Sequence, residues 1–334
     1  MGNAVDSAFA TFDRALNLDP TQRKRAQERH LAVTNVLKDA GFVESTFLQG
    51  SFARKTMLKP LKDVDIVVVI KREYWDVLSG PQGPALAMKW FEAAITDHWP
   101  EATFDDGDEP AAKAVRVSFP DLDFDVDLVP AFEAEHGNVL IGNREEQNWE
   151  TSSTRRLNDV IAKRNQSLGG RFVHQVRELK QLIKHHDELS FVKGIVVESL
   201  AYAVITANVA DKNAVLTVLE HAAHVVGGPV MTPTGDEDVI AGWSRAERIT
   251  ALRVFRVLAD QANEALHVEA TGDSQAAIDL WNNVIGDPFP NAEIRPPGEA
   301  LAAWASGSRT STGRTTPSSG GRQPVRPGRA WAPR

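Results

Sequence analysis

The sequence predicts an α/β (α+β) N-terminal region built on a mixed sheet, followed by a region made only of helices. Three observations support this division. Runs of β-branched residues alternate with segments of helical period as far as Gly142, a pattern typical of a sheet covered by helices. Beyond Gly142 only helical periodicity remains. From Ser306 onward Pro, Gly, Ser, Thr and Arg dominate, and such a composition is too polar to bury a core.

Two helices and a short strand open the chain. Residues 4–18 carry apolar side chains at helical spacing. Asp19–Pro20 then supplies an N-cap with proline at the first position of a second helix. Gly41 is placed to end that helix, and the apolar run Thr46–Leu48 predicts a strand.

Three further strands are predicted in the N-terminal half. Ile66–Ile70 is an unbroken run of β-branched residues, which is typical of a buried strand. A loop and a helix are predicted within residues 75–99. Two more strand candidates follow an acidic loop, and these are Lys113–Phe119 and Leu122–Phe132.

The C-terminal half is predicted to hold amphipathic and buried helices. One of them starts at a capping box formed by Ser244 and Glu247. The helices are expected at residues 173–189, 195–210, 215–226, 244–269 and 275–285. We therefore divide the chain into the N-terminal helices and sheet-bearing core (residues 1–145), a helical lobe (146–305) and a disordered basic tail (306–334).

Charge and composition exclude several functional classes. The chain has no cysteine, which excludes disulfides and thiolate zinc sites, and no apolar run reaches the roughly 20 residues of a membrane span. The formal charge of −8 divides into about −14 for residues 1–305 and +6 for the tail. Because duplex binding needs clustered Lys and Arg, we expect neither stable DNA binding nor membrane binding. A cytoplasmic protein that acts on small nucleotides fits better.

The stretch Gln49–Ile70 carries the strongest chemical signal. A glycine at Gly50, followed by Ser51, lets a backbone approach a phosphate closely. Asp63 and Asp65, just before the buried strand, lie at i and i+2 and point to one face, where two carboxylates can hold a hard cation. Surface aspartates before a strand are common, but the preceding Gly–Ser loop favours a metal and phosphate site.

Two-metal phosphoryl transfer requires a third acid. The predicted strand Leu122–Phe132 offers Asp123, Asp125 and Asp127, which alternate on one face with apolar residues on the other. Periodicity does not choose among the three.

The run QGSFARKT…KPLKDVDIVVVI with the later VDLVPAF resembles the bacterial cGAS/DncV-like nucleotidyltransferases (CD-NTases). These are oligonucleotide cyclases of CBASS antiphage defence, in the polymerase-β-like superfamily. The resemblance covers most of residues 1–300 and includes NREEQNWETSSTRRLNDVIAKRNQ and RELKQLIK. It implies a nucleotidyltransferase core and a helical lobe on either side of a central cleft. It also implies ATP among the nucleoside triphosphate substrates, and regulatory or effector proteins as partners.

The resemblance also implies roles for individual residues. Asp63 and Asp65 would bind both Mg²⁺ ions, with Mn²⁺ as a possible substitute. Asp127 would complete the metal site and accept the proton of the attacking 3′-hydroxyl, which selects it over Asp125. The donor's β- and γ-phosphates would contact Gln49, Gly50 and Ser51.

In the helical lobe, Lys180 would bind the triphosphate, and on the predicted helix it lies at the edge of the apolar stripe. The alternative is a solvated helix lysine. Where the family often has a serine, fourteen residues further on, this chain has Gly194. The missing contact would then come from Ser190, Lys193 or a backbone amide. Glu198 is expected in a buried ion pair or hydrogen bond, and Arg54 and Thr56 are expected to stabilise the loop.

Two activities and one binding function compete. The first is condensation of nucleoside triphosphates into a cyclic di- or trinucleotide second messenger with release of pyrophosphate. The second is transfer of a nucleotide to a protein, a small molecule or an RNA end, although the acidic body offers no basic channel for RNA. The third, a degenerate nucleotide sensor, is disfavoured because all three acids are present.

Overall fold

The structure is a computed structural model that describes residues 4–105 and 111–291. The predicted basic tail lies outside the described residues. Within them, seven strands form one mixed sheet in the order β1-β2-β5-β4-β3, and β6 pairs with both β5 and β7. Among these described strands, only β2 and β5 pair in parallel. The strands are β1 (Val43–Leu48), β2 (Asp63–Ile70), β3 (Thr103–Phe104), β4 (Val115–Ser118), β5 (Asp125–Glu133), β6 (Val139–Asn143) and β7 (Asn148–Ser152).

In the described part of the chain, five α-helices precede the end of the sheet and six follow it. The first five are α1 (Ala4–Leu16), α2 (Pro20–Asp39), α3 (Gly50–Arg54), α4 (Trp75–Leu78) and α5 (Gly83–His98). The helical lobe contains α6 (Thr154–Ser167), α7 (Arg171–His185), α8 (Gly194–Val204), α9 (Asp211–Val225), α10 (Arg245–Ala270) and α11 (Ser274–Ile285). None of the described helices combines the length and the hydropathy needed to cross a bilayer.

Strand alternation gives the sheet two different faces. Even-numbered side chains of β2, such as Ile66 and Val68, pack into a large core that α2 and α5 share. Odd-numbered side chains, such as Val67 on β2 and Val129 on β5, form a smaller core on the other face. Because side chains two residues apart share a face, the aspartates at the start of β2 and β5 lie on the face of that smaller core.

The helical lobe has its own core, and α1 is part of it. Phe9 of α1 packs edge-to-face against Trp281 of α11, with ring centroids 5.1 Å apart, and against Phe289, at 5.0 Å. The same cluster contains apolar residues from α6 to α11. The first helix in the chain therefore packs with the C-terminal helices and not with the sheet that follows it.

Several predicted elements are confirmed and others differ. Asp19 caps α2 by accepting from Thr21 and Gln22, and Ser244 and Glu247 form the predicted capping box of α10. The residues after Gly50 form the short helix α3 where we expected a loop. β2 begins at Asp63, so both of its aspartates lie inside the strand.

Two of the elements that the pattern missed, β7 and α6, are polar. β7 has the sequence NWETS with no fully buried residue, and it is a strand because it pairs with β6. Pairing at a sheet edge overrides a weak local preference. In α6 only Leu157 and Ile161 are buried, which leaves too short a stripe to stand out in the sequence.

Candidate active site

The turn between β1 and α3 brings backbone close to a strand aspartate. The Gln49 amide donates to the Asp65 carbonyl at 3.0 Å, and Gly50 follows with a φ of +69°. A Cβ built on Gly50 would lie 1.9 Å from Asp65 Oδ2. Because only glycine has no Cβ and tolerates this φ, the sequence places glycine where α3 meets the acids.

Six polar residues on three strands form two rows across the sheet. β2 and β5 are in parallel register, so that Asp63 lies beside Asp125 and Asp65 beside Asp127. Neighbouring strands in a sheet are roughly 4.8 Å apart. β4 continues both rows, with Ser118 beside Asp125 and Arg116 beside Asp127. We call the four aspartates of these rows the acid face.

Side chains of β4 donate hydrogen bonds to the two aspartates of β5 but to neither aspartate of β2. Arg116 donates through Nε and one Nη to the two oxygens of Asp127, both at 2.9 Å. Ser118 Oγ donates to Asp125 at 2.6 Å. In the described part of the chain, no side chain donates to the carboxylates of Asp63 or Asp65.

The electrostatics of the acid face favour a bound cation. Burial raises the pKa of Asp65 to about 6, and the charges of Asp63 and Asp127 add to this effect. Burial and the Asp127 charge also raise the pKa of Asp63. Since a cation placed between them would remove this penalty, and since hard divalent cations prefer carboxylate oxygens, the donor set fits a divalent metal ion.

Arg116 holds Asp127 in place. The hydrogen bonds that Arg116 donates to Asp127 raise the pKa of Arg116. Among the described residues, no three Asp, Glu or His side chains are yet placed to hold a metal ion together. Arg116 could not be recognised as a site residue beforehand, because its role depends on the register of β4. Asp123, expected on the same face as Asp127, lies outside β5. It accepts from Gln22 at 2.7 Å instead, so its expected placement was wrong.

A cleft of about 380 Å³ collects residues from both lobes. Three predicted site residues line it, namely Ser51, Asp63 and Lys180. Lys62 and Lys184, which the sequence did not single out, line it as well.

The remaining predicted contacts lie near the cleft but do not line it. Gln49 accepts from Thr154 Oγ1 of α6 at 2.9 Å through its side-chain carbonyl. Lys193 is exposed at the residue before α8, while its neighbour Gly194 does line the cleft.

At the wall of the cleft, one buried carboxylate joins the two lobes. Glu198 of α8 accepts from Arg54 Nε at 2.6 Å, from Thr56 Oγ1 at 2.5 Å and from Lys180 Nζ at 2.7 Å. Burial acts to raise the pKa of Glu198, but Lys180 and Arg54 outweigh it and hold that pKa well below the usual range. The expected buried ion pair of Glu198 is confirmed, and we call these four residues the Glu198 cluster.

Comparison with known proteins gives matches in sequence and in structure. Residues 4–165 match the Second Messenger Oligonucleotide or Dinucleotide Synthetase (SMODS) domain. A probable cyclic AMP-AMP-GMP nucleotide synthase of Salmonella paratyphi B is 34% identical over 108 residues, covering 31% of this chain and 26% of that protein. That match therefore spans about a quarter of the curated relative.

Solved structures match over most of the chain. CdnC of E. coli MS115-1, solved with ATP, gives a TM-score of 0.69 at 16% identity and covers 87% of this chain and 99% of its own. The complex of CdnC with HORMA-deltaN gives the same TM-score at 15% identity, covering 86% and 98%. DncV cyclic AMP-GMP synthase of Vibrio cholerae, solved with a linear intermediate, gives 0.57 at 13% identity, covering 86% of each chain. At these identities the structural likeness concerns the fold.

Proposed function

The chain belongs to the cGAS/DncV-like nucleotidyltransferases, and we propose that it condenses nucleoside triphosphates into a cyclic di- or trinucleotide second messenger. The reaction releases one pyrophosphate for each bond formed. The observation that carries this proposal is the acid face, where Asp63 and Asp65 of β2 lie in register with Asp125 and Asp127 of β5. Asp63 lines the same cleft as Ser51 and Lys180.

Asp63, Asp65 and Asp127 are the residues that would hold two Mg²⁺ ions, or Mn²⁺ in their place. When bound, these ions supply Lewis-acid stabilisation of the charge on the reacting phosphate. Asp63 and Asp65 are free of other side-chain donors among the described residues. Both oxygens of Asp127 accept hydrogen bonds from Arg116. To bind an ion together with Asp63 and Asp65, one of these oxygens has to contact the ion as well as Arg116 or give up its hydrogen bond to Arg116.

The protein's own groups position the two substrates. Gln49, Gly50 and Ser51 surround the donor's β- and γ-phosphates, with Lys180 and Lys193 contributing from the helical lobe. The 3′-hydroxyl oxygen of the acceptor nucleotide attacks the donor's α-phosphorus, the bond to pyrophosphate breaks, and Asp127 accepts the hydroxyl proton. Repetition of this step on the linear product closes the ring.

The comparisons also support the choice of partners. CdnC and CdnG have been solved with ATP and with GTP, respectively, and we propose nucleoside triphosphates, ATP among them, as substrates here. CdnC has also been solved with HORMA-deltaN, and we propose that a regulatory or effector protein of antiphage defence acts with this chain. We propose that the enzyme acts in the cytoplasm, because nucleoside triphosphates are available there.

The proposal is tested by incubating the purified protein with all four nucleoside triphosphates and Mg²⁺ or Mn²⁺, and resolving the phosphatase-resistant products. We expect a cyclic product from the wild type and none from Asp63→Ala/Asp65→Ala. Asp123→Ala is the matched control, because Asp123 lies outside the acid face and should leave the yield unchanged.

Two results would contradict the proposal. Identical products from the wild type and the double variant would show that the acid face is not catalytic. Radiolabel transferred from the nucleotide to protein, a small molecule or RNA would identify a transferase of the second kind instead.

A further inference from the structure

Arg116 of β4 binds both oxygens of the acid that would complete the metal site. Its Nε and one Nη donate to the two oxygens of Asp127, each at 2.9 Å. A guanidinium that binds the two oxygens of one carboxylate in this way forms a strong and directional pair. A divalent ion that binds Asp127 therefore has to compete with a cation that belongs to the protein itself.

The two members of this pair differ in their access to solvent. The side chain of Asp127 is 10% exposed, whereas that of Arg116 is 37% exposed. A largely buried carboxylate that loses its only cation is costly, but an arginine whose stem lies at the surface can turn its guanidinium into water. Asp127 therefore requires a cation, and Arg116 can leave once another cation takes its place.

Simultaneous binding of Arg116 and a divalent ion to Asp127 is unfavourable. Two positive charges that lie within about 4–6 Å repel each other, and salt screens this repulsion only weakly at a buried group. Ser118 differs from Arg116 in this respect, because its hydroxyl donates to Asp125 without carrying a charge. Among the described side chains that donate to the acid face, Arg116 alone is charged.

The acids of β2 have no such competitor. In the described part of the chain, no side chain donates to the carboxylates of Asp63 and Asp65, and the two residues lie on one face of β2. An ion that uses only these two carboxylates displaces no side-chain hydrogen bond. An ion that also uses Asp127 has to displace Arg116, so the acid face offers two unequal positions for cations.

We propose that Arg116 forms an autoinhibitory contact, in which it competes with a divalent ion for Asp127 until the ion displaces it. The inference rests on the proposed function, because it concerns the metal site of that reaction. Arg116 acts through Asp127 and is a positioning residue. The strength of the pair between Arg116 and Asp127 sets the metal concentration at which Asp127 joins the site.

The test measures binding of Mn²⁺ to the full chain by electron paramagnetic resonance of the free ion, without nucleotide. We expect the wild type to bind one ion more tightly and a second ion more weakly. Arg116→Gln should bind the second ion about tenfold more tightly than the wild type does, since the ion no longer displaces a charge-assisted hydrogen bond. The half-saturating Mg²⁺ concentration for product formation should fall by a similar factor.

Arg155→Gln is the matched control. Arg155 forms two hydrogen bonds with Glu133, at 3.0 and 2.9 Å, and its side chain is 34% exposed. This pair resembles that of Arg116 in geometry and exposure, but it lies away from the acid face. Arg155→Gln should therefore bind both ions as the wild type does.

Two further variants separate competition from a change in folding. Arg116→Lys keeps the positive charge but cannot bind both oxygens in parallel, so its second-ion affinity should lie between those of the wild type and Arg116→Gln. Asp127→Asn removes the carboxylate for which the two cations compete. In an Asp127→Asn background, Arg116→Gln should no longer tighten binding of the second ion.

The autoinhibitory role is overturned if Arg116→Gln binds the second ion no more tightly than Arg155→Gln does, or if the tightening persists in the Asp127→Asn background. Product formation distinguishes this failure from failure of the proposed function. If the wild type makes the cyclic product while Arg116→Gln binds Mn²⁺ as the wild type does, only the role of Arg116 is contradicted. Identical products from the wild type and Asp63→Ala/Asp65→Ala contradict the proposed function, whatever the Mn²⁺ affinities are.

Discussion

Gly50 has a backbone conformation and a neighbour that leave no room for a side chain. Its φ is +69°, and a Cβ would meet Asp65 Oδ2 at 1.9 Å. Gly169 has nearly the same φ, +64°, but open space around it. The two glycines therefore separate the cost of the backbone conformation from the cost of the contact with Asp65.

We expect Gly169→Ala to lower the free energy of unfolding by about 1 kcal/mol, the usual cost of forcing a non-glycine residue into this conformation. Gly50→Ala should lower it further and abolish product formation, because Asp65 must move. Urea denaturation of both variants, with the cyclase assay, checks this. Equal losses of stability in the two variants, with activity retained in Gly50→Ala, would contradict the close approach.

Asp65 should make the metal-free protein less stable at neutral pH than in mild acid. Burial and its acidic neighbours raise its folded-state pKa from 3.8 to about 6, so the folded state holds the proton more tightly than the unfolded chain does. Asp65 therefore contributes nothing unfavourable below about pH 4, and its penalty grows between about pH 4 and 6 and is complete above that range. At about 1.4 kcal/mol per pKa unit, the penalty is at most roughly 3 kcal/mol.

Asp65→Asn removes the titrating group and should stabilise the protein at pH 8 in EDTA by about 1–3 kcal/mol, while abolishing product formation. The gain should shrink as the pH falls to 4 and when Mg²⁺ is added to the wild type. Thermal unfolding between pH 4 and 8 measures it. A variant that is less stable than the wild type at pH 8 in EDTA would show that Asp65 is not under electrostatic strain.

At the scale of elements, β4 supplies the groups that hold the acids of β5. Arg116 and Ser118 do this because β4 pairs with β5 in antiparallel register. We expect Arg116→Gln to lower the unfolding free energy of the metal-free protein by about 1–3 kcal/mol, because it leaves the buried Asp127 without its charged partner.

Added Mg²⁺ should recover much of this loss in Arg116→Gln. Arg155→Gln serves as the control, since Arg155 makes a similar two-pronged pair with Glu133 away from the acid face and should cost less than about 1 kcal/mol. The measurement is urea unfolding with and without Mg²⁺. If both variants lose the same stability and respond equally to Mg²⁺, Arg116 has no special relation to the acids.

Local signals sufficed for some elements and not for others. The N-caps Asp19 and Ser244 act within three residues, so the sequence predicts both helix starts. The carboxylates at Asp63 and Asp65 were recognisable because strand alternation is also local. The hold of Arg116 on Asp127 and the strand pairing of β7 depend on residues that only the folded sheet brings together.

At the scale of the whole molecule, the Glu198 cluster is a buried polar contact between the lobes at the cleft. Arg54 and Thr56 follow β1, whereas Lys180 and Glu198 belong to α7 and α8. Lys180, which is predicted to bind phosphate, also takes part in this interlobe contact, and sequence spacing did not reveal that contact. Since Lys180 and Arg54 lower the pKa of Glu198, its stabilising effect is complete above the ordinary glutamate pKa and is lost only in strong acid.

Removing the Glu198 carboxylate should destabilise the whole molecule and not only the cleft. Glu198→Ala leaves Arg54 and Lys180, whose side chains are 8% and 10% exposed, without an anion. Loss of one partner of a buried ion pair costs about 3–5 kcal/mol.

Glu188→Ala is the control, because Glu188 pairs with Arg253 at a site where both side chains are about 60% exposed, and such pairs contribute less than about 1 kcal/mol. We expect the urea midpoint to fall sharply in Glu198→Ala and hardly in Glu188→Ala. Glu198→Gln should lie between them, since its amide oxygen still accepts from Thr56 but carries no charge. If Glu198→Ala unfolds at the same urea concentration as Glu188→Ala, the Glu198 cluster does not stabilise the contact between the lobes.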